Sequence, residues 1–336
     1  MDRRQFTRAC AAICLAAFPA GKLLAGQGIT SKQRTGIVLD RLFLQHRMWS
    51  GHPESPRRLE AIMQSMNHSG LLNRLQRLEY ADSVATAMLR VHSKTHIESI
   101  RKHYPDSYPI AVAVVGAALS AVDAVCTGSV RNAFCATRPP GHHAANTGRE
   151  EGFCFFNAVA VAARHAQSKY RLKKILIIDW DYHHGNGTES AFYDDPSVLY
   201  FSTHDFYAYP GTGDPARKGE GKGRGYNINV HLECGATDED VIRAFREKLL
   251  PVANEFRPDL ILISAGFDSR KDDTLGCFNI TDDGFITLTK LVMTLADQYS
   301  NGRIVSVLEG GYNPTGLASG VMAHVTILNN YQGDYV

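Results

Sequence analysis

The feature that most constrains this chain is a recurring unit: a short, continuous apolar run that stops abruptly at polar, reactive residues. Six such runs stand out, at Asn132–Ala136, Lys174–Ile178, Val198–Ser202, Tyr226–Leu232, Leu260–Ser264 and Arg303–Leu308. Their Ile, Leu and Val content reads as strands covered on both faces. Helical patterning fills the gaps, at Pro56–Asn67, Ala111–Val125, Phe156–Gln167, Asp238–Phe256 and Asp282–Tyr299. Thr237 and Thr281 stand at N-cap positions, Pro56 suits a first turn, and Pro251 predicts a kink. Strands alternating with helices imply a single α/β domain on a parallel sheet. With 336 residues, 44% hydrophobic and 21% charged, the chain has the composition of a soluble globular protein, which excludes disordered, collagenous and polytopic membrane classes.

In parallel sheets, ligands bind beyond the carboxyl ends of the strands. The residues just past each predicted strand are therefore informative. Ala136 leads into Thr-Arg-Pro-Pro-Gly-His142-His143, and Ile178 into Asp179-Trp-Asp181-Tyr-His183-His184. Ser264 leads into Ala-Gly-Phe-Asp268, and Leu308 into Glu-Gly-Gly-Tyr312. If these strands are neighbours, their reactive ends converge on one crevice.

Asp181 and His183 are two apart on a segment read as extended, which points both side chains the same way. Their oxygen and nitrogen donors suit Zn2+ or a similar divalent ion, with Asp268 as third ligand. Three protein ligands leave a position open, the mark of a catalytic site. Beside a metal, His142 and His143 can divide the work: one moves a proton from water to a leaving amine, the other supplies charge. Their second ring nitrogens need partners, for which Asp179 and Asn186 are candidates. Tyr312, behind Gly310-Gly311, can donate to a carbonyl oxygen that becomes an oxyanion. Taken singly, each feature also has a bland reading: a capping loop, a solvated histidine pair or extra ligands, an ordinary turn tyrosine. No Gly-x-Ser-x-Gly elbow and no Walker loop occurs. Gly219–Gly225 lacks the Gly-Lys-Ser/Thr ending and reads as a surface turn.

The N-terminus reads as an address. A charged leader, MDRRQFTR, precedes an uncharged run from Ala9 to Ala20, and Leu23-Leu24-Ala25 offers a cleavage site before Gly26. Arg3-Arg4 followed by Phe6 resembles the twin-arginine export signal of bacteria, so residues 1–25 are expected to direct export to the periplasm and residues 26–336 to form the working domain. Without a functional signal the protein would stay in the cytoplasm. After cleavage no membrane span is expected. The net charge of +2 comes from this leader, and the remainder is slightly acidic, which argues against a nucleic-acid partner. Cys126, Cys135, Cys154, Cys234 and Cys277 contain no CxxC pair and are expected to be buried, reduced small hydrophobes.

The motifs, in order, resemble the arginase-deacetylase superfamily, and within it class II histone deacetylases and their bacterial relatives. The match rests on HPESPRR (52–58), RPPGHHA (138–144), GFCFFN (152–157), DWDYHHGNGT (179–188), DDPSVLYFSTH (194–204), YPGTGD (209–214), SAGFD (264–268) and LEGGYN (308–313). It covers nearly all of the chain after residue 36. The resemblance implies an open eight-stranded parallel sheet with helices on both faces. It implies a Zn2+-dependent amide hydrolase that removes acetyl groups from Nε-acetyl-lysine in peptides or proteins. It assigns zinc to Asp181, His183 and Asp268, general acid/base work to His143, the electrostatic role to His142, and carbonyl polarisation to Tyr312. Asp179 would contact His142, and Asn186 takes a position held by Asp in class I members. A first structural K+ would use Asp179, Asp181, His183, Ser202 and Thr203; a second would use Phe192, Asp195, Val198 and Tyr226. Phe153 and Tyr209 would flank the substrate tunnel, with Gly152, Leu275 and Gly311 also contacting substrate. Cys154 would lie near the tunnel's foot, and Arg58 near the inner cavity. Leu275 stands where polyamine-selective relatives carry a glutamate, which favours acetyl-lysine peptides. The alternatives are an acetylpolyamine or other small acyl-amide hydrolase, a non-catalytic metal- or acyl-lysine-binding protein, and, more distantly, an arginase-like dimanganese enzyme. The oligomeric state stays open.

Overall fold

The computed structural model describes residues 34–330, so the leader lies outside the described residues. Eight strands are present: β1 (Thr35–Val38), β2 (Gln76–Arg77), β3 (Asn132–Cys135), β4 (Ile175–Asp179), β5 (Val198–His204), β6 (Asn227–His231), β7 (Leu260–Ala265) and β8 (Ile304–Leu308). They form one all-parallel sheet in the order β2-β1-β3-β8-β7-β4-β5-β6. The six apolar runs are all strands. The two further strands precede residue 130 and span four and two residues, too few to show a period.

Every residue of β3, β4, β5, β7 and β8 is buried, because helices cover both faces of the sheet's centre. Edge strand β6 is only partly buried and carries Asn227, Asn229 and His231 in alternation. Among the flanking helices, Pro56–His68 packs on Pro314–Asn330, which packs on Asp282–Tyr299, while Tyr108–Cys126 packs on Ala158–Tyr170. Tyr108–Cys126 is long and apolar enough to cross a membrane, but most of it is buried inside the protein. A helix that is apolar all round is a core helix when other elements enclose it.

The predicted kink at Pro251 takes a specific form. Asp238–Ala244 and Leu250–Phe256 are α-helical, and a π-helical turn, Phe245–Leu249, joins them. Proline cannot donate to the carbonyl four residues back and would collide with it, and the wider turn absorbs that mismatch. Both threonine caps form. The Thr237 N–H donates to Asp240 Oδ2 at 2.9 Å, and the Gly284 N–H donates to Thr281 Oγ1 at 3.3 Å.

One expectation is corrected. Cys234 and Cys277 form a disulfide, with Cα atoms 5.2 Å apart; of the free cysteines, Cys135 and Cys154 are buried as expected, but Cys126 is only half-buried. The partners are 43 residues apart with no motif to mark them, and folding alone makes them neighbours.

Candidate active site

The strand order places β3, β8, β7 and β4 side by side. The four strand ends singled out in the sequence are therefore adjacent, and their loops meet in one crevice.

The donor atoms of Asp181, His183 and Asp268 lie within 4.8 Å of one another. His183 Nδ1 is 3.2 Å from Asp181 Oδ1 and 3.0 Å from Asp268 Oδ2. The pleat does not aim them. β4 stops at Asp179, and residues 181–183 form a bend. Backbone donors fix the carboxylates instead: the His183 N–H at 2.9 Å and the Gly310 N–H at 2.8 Å on Asp181, and the Tyr182 N–H at 2.8 Å on Asp268. At Gly266 and Gly310 any Cβ would overlap these carboxylates, so only glycine lets the chain close behind them. Burial together with the charge of Asp181 pushes Asp268 up to about 7. Burial opposes charge on His183, yet Asp181 and Asp268 outweigh it and hold its pKa up at about 10. Two fully buried carboxylates and an imidazole aimed at one point make a convergent donor set for a cation. One nitrogen and two oxygen donors with room for a fourth ligand fit Zn2+.

The two adjacent histidines are driven in opposite directions. Burial disfavours charge on His142, but the carboxylates of Asp181 and Asp179 prevail and lift its pKa well above the ordinary value. Its Nδ1 is 3.1 Å from Asp179 Oδ2, and its Nε2 is 3.7 Å from Asp181 Oδ1. Burial and the neighbouring charges of His142 and His183 push His143 well below the ordinary value. Its Nδ1 is 2.8 Å from Asn186 Oδ1. With that oxygen accepting, Nδ1 carries the proton and Nε2 keeps its lone pair. The two candidate partners are thus divided between the rings, Asp179 on His142 and Asn186 on His143. A charged and a neutral imidazole side by side can serve as electrostatic anchor and proton carrier.

Tyr312 is buried, and burial pushes its phenol well above the ordinary range, so it stays a hydrogen-bond donor. Its backbone N–H and that of Asn313 donate to Asp273 Oδ2 at 2.7 and 3.1 Å. The Phe153 ring lies 5.8 Å from the Tyr312 ring, and the Tyr209 ring 4.9 Å from His143. Gly152 has φ +53°, and a side chain there would collide with His143 and Tyr209. Tyr209 and Leu275 are both exposed, as rim residues would be. Cys154 is fully buried, its donor atom within 4.8 Å of those of His142 and Glu309, and burial pushes its thiol well above the ordinary value.

Of the residues expected at a first potassium site, Asp179 and Ser202 are register partners on β4 and β5, and Thr203 follows in the same strand. Of the second set, Phe192, Asp195 and Val198 lie along two successive turns, closed by the Asp195 N–H to the Phe192 carbonyl at 3.0 Å and the Val198 N–H to the Asp195 carbonyl at 3.4 Å. The Asp195 carboxylate itself is engaged by Ser197 and Arg164. The Tyr226 carbonyl accepts from the Tyr200 N–H.

Sequence reasoning missed three acidic residues that organise the crevice. Glu309 Oε2 accepts from the Gly141 N–H at 2.6 Å and the His142 N–H at 3.1 Å. It thereby ties the Tyr312 loop to the histidine loop. A carboxylate directly after the apolar run of β8 was the available signal. Asp273, one of two adjacent acids in a loop, carried none. Glu54, inside HPESPRR, is the hub of a buried ion cluster. Its carboxylate meets Arg138 Nη2 at 2.6 Å, Arg58 Nη1 at 3.1 Å and His46 Nε2 at 3.3 Å. Arg58 goes on to donate to the Gly311 carbonyl at 2.6 Å and to the Glu309 carbonyl, and lies 4.9 Å from the Tyr312 ring centroid.

Two predictions arise here. Glu309→Leu is expected to lower kcat by about 10- to 100-fold, because it unties the two loops and leaves two buried N–H groups without an acceptor. Glu309→Gln keeps a carbonyl oxygen and should recover most of that loss. Equal losses in the two variants would refute the tethering role. Glu54→Ala is expected to destabilise the fold by about 3–5 kcal/mol, since it strands two buried guanidinium groups. Burial opposes ionisation of Glu54, but His46, Arg138 and Arg58 together hold its carboxyl far below the ordinary 4.5. Its stabilisation is therefore complete above about pH 4.5 and is lost as pH falls through the lower folded value. Urea unfolding of both proteins at pH 7 checks the destabilisation; a difference between them under about 1 kcal/mol would argue against the hub.

Comparison with known proteins agrees with the fold. The histone deacetylase domain model matches residues 52–328. Human histone deacetylase 9 is 36% identical over 345 aligned residues, covering 88% of this chain and 34% of that protein. Histone deacetylase 6 of Caenorhabditis elegans is 37% identical over 309 residues, covering 83% of this chain and 32% of that protein. The chain thus spans about a third of the length of these relatives. The crystal structure of the HDA15 HD domain superposes with a TM-score of 0.83 at 33% identity, covering 90% of this chain and 91% of that one. With that match and the eight-stranded parallel sheet behind the crevice, the chain belongs to the histone deacetylase family.

Proposed function

We propose that the protein hydrolyses the acetyl amide of Nε-acetyl-lysine in peptides or proteins and releases acetate. The observation that carries this reading is geometric: His142 bonded to the Asp179 carboxylate and His143 bonded to the Asn186 amide stand side by side against the Asp181–His183–Asp268 cradle. Those three residues would hold Zn2+, which supplies Lewis acidity toward a carbonyl oxygen and acidifies water. His143, neutral with a free Nε2, takes the proton from the attacking water and delivers it to the leaving lysine amine. His142, held charged by Asp179, stabilises the negative charge that develops beside it. The Tyr312 hydroxyl donates to the acetyl oxygen and gains strength as that oxygen becomes anionic. Phe153 and Tyr209 sleeve the apolar lysine stem, and the Gly152 carbonyl accepts from the substrate amide.

A small acylated amine is the second reading. Against it, the rim residue Leu275 is apolar, and the nearby Asp273 carboxylate is already engaged by the N–H groups of Leu275, Tyr312 and Asn313. That carboxylate is not left for a distant ammonium. Acetate release from an acetyl-lysine peptide and from N-acetylputrescine, with zinc-loaded protein, decides between them. Faster turnover of the peptide is expected; preference for the amine would transfer the function to polyamine chemistry. A binding protein without turnover would release acetate from neither.

Two structural K+ ions are part of this proposal. The first is supported by the juxtaposition of Asp179, Ser202 and Thr203 behind the zinc cradle. The second would rely on the carbonyl oxygens of Phe192, Asp195, Val198 and Tyr226. Export by the twin-arginine route is proposed from Arg3-Arg4 and the apolar run after it. In that compartment the substrate would be an acetylated envelope peptide, protein or amine.

A further inference from the structure

Cys234 and Cys277 take no part in the chemistry above, yet they bind a loop on which that chemistry depends. Cys234 is exposed in the turn after β6, and Cys277 is half-buried in the loop that leaves β7. Backbone bonds align the two segments next to the disulfide. The Gly235 N–H donates to the Cys277 carbonyl at 2.8 Å, and the Asn279 N–H to the Ala236 carbonyl at 2.7 Å. Just beyond, the Asp238 carboxylate accepts from the Thr281 N–H at 2.7 Å and from its hydroxyl at 2.6 Å.

The loop so fastened runs from Asp268 to Thr281. It begins with a zinc-cradle residue and carries Leu275 at the rim. It also carries Asp273, whose Oδ2 holds the backbone N–H groups of Tyr312 and Asn313. Cys277 Sγ lies 3.2 Å from the Tyr182 hydroxyl, and the Tyr182 N–H in turn holds Asp268. The other described thiols are poorly placed for redox chemistry. Cys135 and Cys154 are buried with thiols pushed far up, and Cys126 is half-buried with its thiol pushed up to about 11.

We propose that Cys234–Cys277 is a redox modification site that clamps the 268–281 loop. Oxidised, it holds Asp273 under the backbone of Tyr312; reduced, it lets the loop loosen and turnover slows. The kinetic part rests on the role given to Tyr312 above. Closing the bond removes two electrons and two protons from the thiols, which a disulfide oxidant takes up as it becomes a dithiol. A dithiol reductant reverses the step by exchange, entering at exposed Cys234. An oxidising compartment would keep the clamp closed, in line with the export address at the N-terminus.

The test uses the full chain purified without reductant. Non-reducing digestion should yield a linked peptide containing Cys234 and Cys277. The protein is then treated with a trialkylphosphine, which becomes its oxide by taking oxygen from water, leaves two thiols, and introduces no thiol to compete for zinc. Reduction should speed amide exchange at Tyr312, Asn313 and the 270–280 stretch, leave zinc content unchanged, and lower kcat/KM by about tenfold. Cys234→Ser should match the reduced protein and ignore the phosphine. Absence of the linked peptide overturns the proposal. So does unchanged exchange at Tyr312 and Asn313 after full reduction. If neither form releases acetate, the deacetylase reading fails by itself, while the peptide and exchange data still judge the clamp.

Discussion

Asp181→Ala is expected to abolish both zinc retention and acetate release. The substitution removes one of three donors from a cradle in which both carboxylates are fully buried. It also strips the acceptor from the Gly310 N–H and relieves the pressure that Asp181 puts on Asp268 and His142. Asp268 should then ionise more readily, while His142 should lose charge. The fold should persist, because the sheet residues behind the cradle are untouched. Metal analysis after gel filtration, together with acetate release at saturating zinc, measures the effect. Stoichiometric zinc in the variant would show that the cradle is not the metal site.

His143→Ala is expected to lower kcat by about 10^2- to 10^4-fold, the range for removing a positioned general acid/base. Zinc content should not change, because His143 Nδ1 is engaged by Asn186 and the residue is no member of the three-donor cluster. KM should move far less than kcat, since the proton transfer occurs only on the way to the transition state. His142→Ala provides the contrast: it removes a charge buried between Asp179 and Asp181, so it should disturb metal retention as well as rate. A His143→Ala enzyme with full zinc and kcat within about tenfold of the parent would assign the proton transfer to another group.

The reactive strand ends were legible because parallel sheets expose ligand sites at one edge and because apolar runs mark buried strands. That reasoning located His142, His143, Asp179, Asp181, Asp268 and Tyr312 along the chain. It did not locate Glu309, although this carboxylate follows β8 directly, since its role lies in accepting two backbone N–H groups from another loop. Asp181 and His183 were expected to converge through strand alternation. They converge through a bend, held by N–H groups contributed by His183 itself and by Gly310, far along the chain.

The class of the fold, six of its strands, five of its helical segments and the candidate residues for binding metal and moving protons are written in the order of the amino acids, whereas the helix Pro314–Asn330 was not read from it. Local period, capping and strand-end chemistry are properties of neighbouring residues, so they can be read along the chain. Folding in three dimensions was needed to establish that β3, β8, β7 and β4 lie side by side, that Glu54 balances two buried arginines, and that Cys234 meets Cys277. Those pairings join residues tens to hundreds of positions apart. They arise when burial brings distant segments together, and no local pattern encodes which segments meet.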